Sequence, residues 1–296
     1  METLILGKLK IEKTDDSIQV YGLKDFNLIH IFECGQCFRW KKTLDDGYIG
    51  IASGKMATVY FDHDILTMKN TTIEEFVNFW FYYFDLGRDY TQIKDELSKK
   101  DLHLQRAVEF GSGIRILKQD FFETLISFII SANNNIPRIK KSVELIAMNY
   151  GEMIDLDNFT FPNSLKLKGI PCEELSLLSR AGFRCRYIEH TSNKYFNEQT
   201  DIKLLSTTSL EDARKILKEF TGVGDKVADC VLLFSGCRQD VFPTDVWVKR
   251  VMEELYFGRT ASLKEINEFA KVHFGELSGF AQQYLFYYAR EHRIGL

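Results

Sequence analysis

The sequence predicts an α+β chain in two parts: a small antiparallel sheet with helices over residues 1–118, then an all-helical domain over 119–296. Three observations carry this expectation. Short runs of alternating apolar and polar residues, separated by turn signals, fill the first part. After residue 119 the apolar spacing becomes helical almost throughout. At 296 residues the chain also has room for about two cores of the usual ~100–200 residues.

In the first part, strand-like runs occupy 17–21, 36–42, 48–52, 56–61 and 65–69, and Asp46-Gly47 supplies a hairpin signal between two of them. One helix, over 28–34, interrupts the series, and helical runs follow at 73–86 and 90–99. In the second part the segment 121–132 is apolar on nearly every face and predicts a buried central helix. The segment 136–150 is amphipathic, with Pro137 in its first turn. Further helices are predicted over 173–180, 185–197, 210–220, 225–235, 246–257, 263–274 and 280–292. Thr208 with Glu211, and Ser262 with Glu265, have the spacing of a capping box.

Composition narrows the class. With 45% apolar residues, 27% charged residues and 4 prolines, the chain is neither disordered nor collagen-like. Its 24 Phe and 13 Tyr residues suit large cores or stacking platforms. The most apolar runs, 76–84 and 121–132, fall short of a membrane span. The opening METLILGKLKIEK shows no secretory signal, so the expectation is a cytoplasmic protein whose six cysteines are reduced thiols; a monomer is also expected. A net charge of −4 neither points to nucleic acid nor excludes it, because a local patch and backbone donors are enough to bind it.

Cys34-Gly-Gln-Cys37 is a lone CxxC. A zinc site wants a second pair of ligands and a redox motif wants a βαβ context, and neither is present. Two small residues entering a strand are the better reading.

Chemistry is concentrated in Phe220-Thr-Gly-Val-Gly-Asp-Lys226, where one helix ends, Gly222 and Gly224 turn the chain, and another helix starts. Free N–H groups at a helix start hold a phosphate without a charged side chain, although a GxG alone also fits an ordinary helix corner. Lys226 falls in the first turn, where the helix dipole and partial burial disfavour an ammonium and favour a nucleophilic amine. A solvated surface lysine is the competing reading. Nineteen residues on, Phe242-Pro-Thr-Asp-Val-Trp247 places Asp245 at a helix N-cap behind the stiff Pro243. There it is either a structural cap or an ionised carboxylate placed to steady a sugar cation.

GVGDKVADC followed by FPTDVW resembles the helix-hairpin-helix Gly/Pro-Asp superfamily of DNA glycosylases, and within it the eukaryotic-type 8-oxoguanine DNA glycosylases. GQCFRW at 35–40, SANNNIPRI at 131–139, GFRCRY at 182–187 and GFAQQYLF at 279–286 match further motifs of that family in the same order. The resemblance implies a twisted N-terminal sheet, a helical glycosylase domain, excision of oxidised guanine from double-stranded DNA and a lyase nick. It assigns Lys226 to the Schiff base and Asp245 to charge stabilisation. Gly35, Gln282, Phe286, Cys230, Phe234 and Pro243 are assigned to the base pocket. Asn133, Arg138, Phe183, Arg184, Gly222, Gly224 and Trp247 are assigned to the DNA and the opposite cytosine. No cofactor is required, though a cation on the carbonyls of residues 220–224 would support phosphate binding. Phe183, Trp247 and Thr221 depart from the residues usual there, Tyr, His and Pro. The alternatives are a monofunctional adenine or alkylbase glycosylase, against which Lys226 argues, and a non-catalytic DNA-binding protein.

Overall fold

A computed structural model describes residues 2–198 and 200–294 of the chain. Seven strands form one antiparallel sheet: β1 (Thr3–Leu6), β2 (Leu9–Lys13), β3 (Ser17–Tyr21), β4 (Trp40–Lys42), β5 (Tyr48–Ala52), β6 (Lys55–Asp62) and β7 (Ile65–Lys69). Their order across the sheet is β1-β2-β3-β7-β6-β5-β4. The alternation read from the sequence sets one buried face. Ile11 pairs with Val20 and Val20 with Leu66, while Ile18 pairs with Met68, Met68 with Val59 and Val59 with Tyr48. Phe32 stacks on Trp40 with ring centroids 4.1 Å apart, and Trp40 Nε1 donates to Tyr83 Oη at 2.8 Å.

Several expectations shift. The first two strands went unread, although Thr3–Lys13 alternates around Gly7, whose φ of +61° suits the turn between them. The predicted strand 36–42 shortens to Trp40–Lys42. A helix over Leu102–Phe110 also escaped notice, and Asp101 caps it by accepting from the Leu104 N–H at 2.8 Å. The capping box at Ser262 forms as read, whereas the cap expected at Thr208 moves one residue on, to Ser209, which accepts from the Asp212 N–H.

The helical body surrounds Phe121–Ser131, with nine of its eleven residues buried. Tyr90, Ile93, Leu97, Leu104 and Ile116 belong to this same core, so the segment before residue 119 packs into the helical body. No helix among the described residues is long and apolar enough to cross a membrane. One cysteine expectation is corrected. Cys172 and Cys185 each open a helix, Cys172–Ser179 and Cys185–Glu198. The intervening turn folds back and sets their Cα atoms 4.8 Å apart in a disulfide. Spacing along the chain carried no sign of this pairing. Cys34, Cys37, Cys230 and Cys237 are free.

Residues 112–119, which join the two cores, carry no regular secondary structure, and most of them are buried. Side chains satisfy this backbone. His30 Nδ1 accepts from the Gly113 N–H, Tyr90 Oη from Ile116 and Gln36 Oε1 from Leu117, while Gln36 Nε2 donates to the Arg115 carbonyl at 2.7 Å. Arg115, itself buried, donates to the carbonyls of Lys24, Asp25 and Asp85 at 2.9, 3.1 and 2.9 Å. Arg115→Met leaves the Lys24 and Asp25 carbonyls without a donor, and the Asp85 carbonyl with only the Arg88 N–H, and is expected to cost about 3 kcal/mol, the scale of buried polar groups stripped of partners. The urea denaturation midpoint measures it, and an unchanged midpoint would show that solvent replaces the guanidinium.

Candidate active site

Two helices, Leu210–Lys218 and Asp225–Phe234, flank the glycine turn. Arg214 locks them together in a fork to the buried Asp229, with N···O distances of 2.6 and 2.8 Å. Gly222 has φ +87°, and a Cβ there would lie 2.6 Å from the Tyr187 ring, so glycine is required on both counts. Gly224 opens the second helix with no side-chain cap, which leaves its first N–H groups available. In the turn, the Phe220 carbonyl accepts from the Val223 N–H and the Thr221 carbonyl from Thr191 Oγ1. Each carbonyl keeps a second lone pair, so these bonds leave room for a cation. No group of three or more His, Cys, Asp or Glu side chains is poised for a metal among the described residues.

A cleft of about 850 Å³ opens beside this turn and brings Asn133, Gly222, Gly224, Lys226, Asp245 and Trp247 to one surface. Lys226 Nζ donates to Ser131 Oγ at 2.9 Å, and Ser131 Oγ donates its own proton to the Phe128 carbonyl at 2.7 Å. The ammonium also sits 5.3 Å from the Phe128 ring centroid. Among the described residues no carboxylate pairs with it, so a neutral hydroxyl and a ring hold the amine. The sequence reading missed Ser131, although the residue lies within a motif that it singled out. Asp245 caps Val246–Met252, with Oδ1 accepting from the Val248 N–H at 2.8 Å. Pro243 is buried just before it.

Of the residues assigned to the base pocket, Gly35 and Phe286 stand against each other, while Cys230 and Phe234 lie in the helical core against which Phe286 packs. Gly35 has φ +86°, and a Cβ there would meet Phe286 Cε1 at 3.1 Å. Gln282 is buried, and its Oε1 has no hydrogen-bond partner. Cys230 is buried too, and burial pushes its thiol up to about 12 against the opposing pull of Lys226, so it stays protonated. Phe234 is a core residue, stacked on Phe128 at 5.2 Å.

Arg184 is buried. Its guanidinium donates to the carbonyls of Ala132, Asn133 and Ala181, fastening the 181–184 turn to the 131–133 turn. Asn133 holds φ +49° and is exposed, while Asn134 takes the Ile130 carbonyl and Asn135 caps the next helix. Arg138 is exposed. Phe183 is 57% exposed, with the Arg184 guanidinium 4.4 Å from its ring. Phe183 lines a separate cavity together with the Cys172–Cys185 disulfide.

A family profile described as "8-oxoguanine DNA glycosylase, N-terminal domain" matches residues 20–125, and one described as "HhH-GPD superfamily base excision DNA repair protein" matches 126–274. A probable N-glycosylase/DNA lyase of Methanothermobacter thermautotrophicus is 34% identical over 73% of this chain and 74% of its own. The solved structure of MBOgg1 with a low-affinity DNA ligand superposes with a TM-score of 0.93 at 47% identity, covering 97% of this chain and 99% of that one. The Clostridium acetobutylicum 8-oxoguanine glycosylase/lyase, solved with duplex DNA carrying cytosine opposite the lesion, gives a TM-score of 0.92 at 44% identity, covering 96% and 98%.

The disulfide beside Phe183 closes a small ring, since its cysteines are 13 residues apart. A ring of that size stabilises by about 3 kcal/mol. Reductant is therefore expected to lower the thermal midpoint, and Cys172→Ser to abolish that response.

Proposed function

The chain belongs to the HhH-GPD superfamily of base excision DNA repair proteins, and we propose that it excises 8-oxoguanine from duplex DNA and then nicks the abasic strand. The observation that carries the reading is Lys226 at the mouth of the cleft, bonded to a neutral hydroxyl and within the same cleft as the Asp245 helix cap.

In this reading the uncapped helix start at Gly224 takes a backbone phosphate on its N–H groups. A cation on the 220–224 carbonyls would add charge to that phosphate site and takes no part in the chemistry. Unstacking the lesion costs a few kcal/mol, and the exposed Phe183 ring fills the gap left in the stack. Asn133, Arg138 and Arg184 face the unpaired cytosine, with Trp247 on the DNA side of the cleft.

The flipped base enters beside Phe286 and Cys230, with Pro243 and Phe234 behind. The Gly35 carbonyl accepts the N7–H that only the oxidised purine carries, whereas guanine presents an acceptor there. Gln282 Oε1, buried and without a partner in the free protein, gains a donor from the pairing edge. After losing its proton, the Lys226 amine attacks C1′ of the sugar. The Nζ–C1′ bond forms, the C1′–N9 bond breaks, and the base departs with the bonding pair. Positive charge building on the sugar is stabilised by the Asp245 carboxylate. The departing base takes one proton from the attached nitrogen; the C1′–O4′ bond then breaks, O4′ takes the second, and a Schiff base joins Nζ to C1′. Loss of a C2′ proton then expels the 3′ phosphate.

Lys226→Gln is expected to abolish excision and strand cleavage while lesion-DNA binding survives in a gel shift. Borohydride trapping on lesion DNA should capture the native chain and not the variant, and normal excision by the variant would end the assignment. Asp245→Asn keeps a good helix cap but loses the charge, so its excision rate is expected to fall roughly 10²–10³-fold. Its thermal midpoint should stay near that of the native chain. If stability falls in step with activity, Asp245 is structural.

A further inference from the structure

We propose that Gln283 is a specificity-determining positioning residue, which holds the Cys34–Gly35 peptide so that the Gly35 carbonyl meets the base at a fixed point. This rests on the reading of Gly35 given above and extends it to the group that makes that reading selective. Glycine at φ +86° gives the turn its shape and nothing to hold it, because no side chain at that position anchors the peptide planes. A recognition contact needs placement to about 0.5 Å, so something else must fix this loop.

The restraints come from around it. Gln283 Nε2 donates to the Cys34 carbonyl at 2.8 Å, and the amide is buried at 1% exposure. Arg290 Nη2 donates to the Glu33 carbonyl, and Gln36 Nε2 to the Ile31 carbonyl at 2.9 Å. The carbonyls of Ile31, Glu33 and Cys34 thus each have a side-chain donor. Among the described residues none donates to the Gly35 carbonyl, the acceptor left for a ligand.

The helix Ser278–His292 carries these parts in register. Gln283, Phe286 and Arg290 stand at i, i+3 and i+7, on one face towards residues 33–35. Gln282, one residue earlier, carries the partnerless Oε1. The Gly35 carbonyl is aimed by φ and ψ of Gly35 from the planes on either side of it. Gln283 fixes the preceding plane, since turning it would strand a buried acceptor, and Gln36, held by its own side-chain bonds, fixes the chain that follows. A fixed carbonyl does two things. It keeps the N7–H bond to the oxidised base, and it cannot retreat from the acceptor that guanine presents in the same place.

Gln283→Met keeps the volume and removes the donor, and Gln283→Glu keeps the size and replaces the donor with an acceptor. Both are compared with the native chain in single-turnover excision of 8-oxoguanine and of guanine, and in cleavage of a preformed abasic duplex. Both are expected to lose roughly tenfold or more in the ratio of 8-oxoguanine to guanine excision, about the worth of one hydrogen bond. Abasic cleavage should stay within about twofold, since that substrate has no base to read. Equal losses on all three substrates, or no change in the ratio, overturn the inference. Gly35→Ala, run alongside, separates the two claims. If it spares the ratio, the reading of Gly35 falls and Gln283 with it. If it erases the ratio while both Gln283 variants keep it, the Gln283 inference alone fails.

Discussion

Everything in this fold hangs on satisfying one buried stretch of irregular backbone. Residues 112–119 pass between the two hydrophobic cores without joining a helix or a strand. Buried peptide groups need partners, and here they find them in His30, Tyr90 and Gln36. Each such side chain is thereby pinned, and each pins something else. Gln36 is the central case. The nitrogen and oxygen of its one amide serve the Ile31 carbonyl, the Arg115 carbonyl and the Leu117 N–H at once. The turn next to Gly35 is therefore held by the same bonds that seat one core on the other.

The proposed chemistry uses helix ends where a more basic protein would use charge. The chain carries a net −4, yet the glycine turn offers bare N–H groups at a helix start. Lys226 and Asp245 both stand at helix starts, with opposite consequences. The dipole there opposes a cation and favours an anion. One structural device thus sets both the proposed nucleophile and the proposed electrostatic partner at the edge of one cleft. Ser131 adds a neutral anchor, which holds the amine without offering it a counter-charge.

Much of this was legible in the sequence, for physical reasons. The glycine turn and the Asp245 cap are local, written in residues that touch their near neighbours. Helices with a strong apolar period were equally plain, the buried 121–131 helix above all. Contacts between distant segments were not. The Cys172–Cys185 pair depends on how one turn folds back, and Ser131 reaches Lys226 only when two helices meet. The three backbone carbonyls that Arg184 fastens went unforeseen, because no residue type announces an acceptor of that kind. The strands Thr3–Leu6 and Leu9–Lys13 alternate well enough but are very short, and the missed helix at Leu102–Phe110 begins amid a run of charges.

The bond from Gln283 to the Cys34 carbonyl spans 249 residues of chain. Contacts of such separation pay their loop-closure entropy late, after local structure has formed. On the ribosome the sheet, the central helix, the glycine turn and the Asp245 cap all emerge before this amide does. A nascent chain therefore owns its proposed nucleophile for some time before it owns the means of choosing a base. If Gln283 positions Gly35 as proposed, selectivity depends on the 278–292 helix, which is the last part of the site to be synthesised.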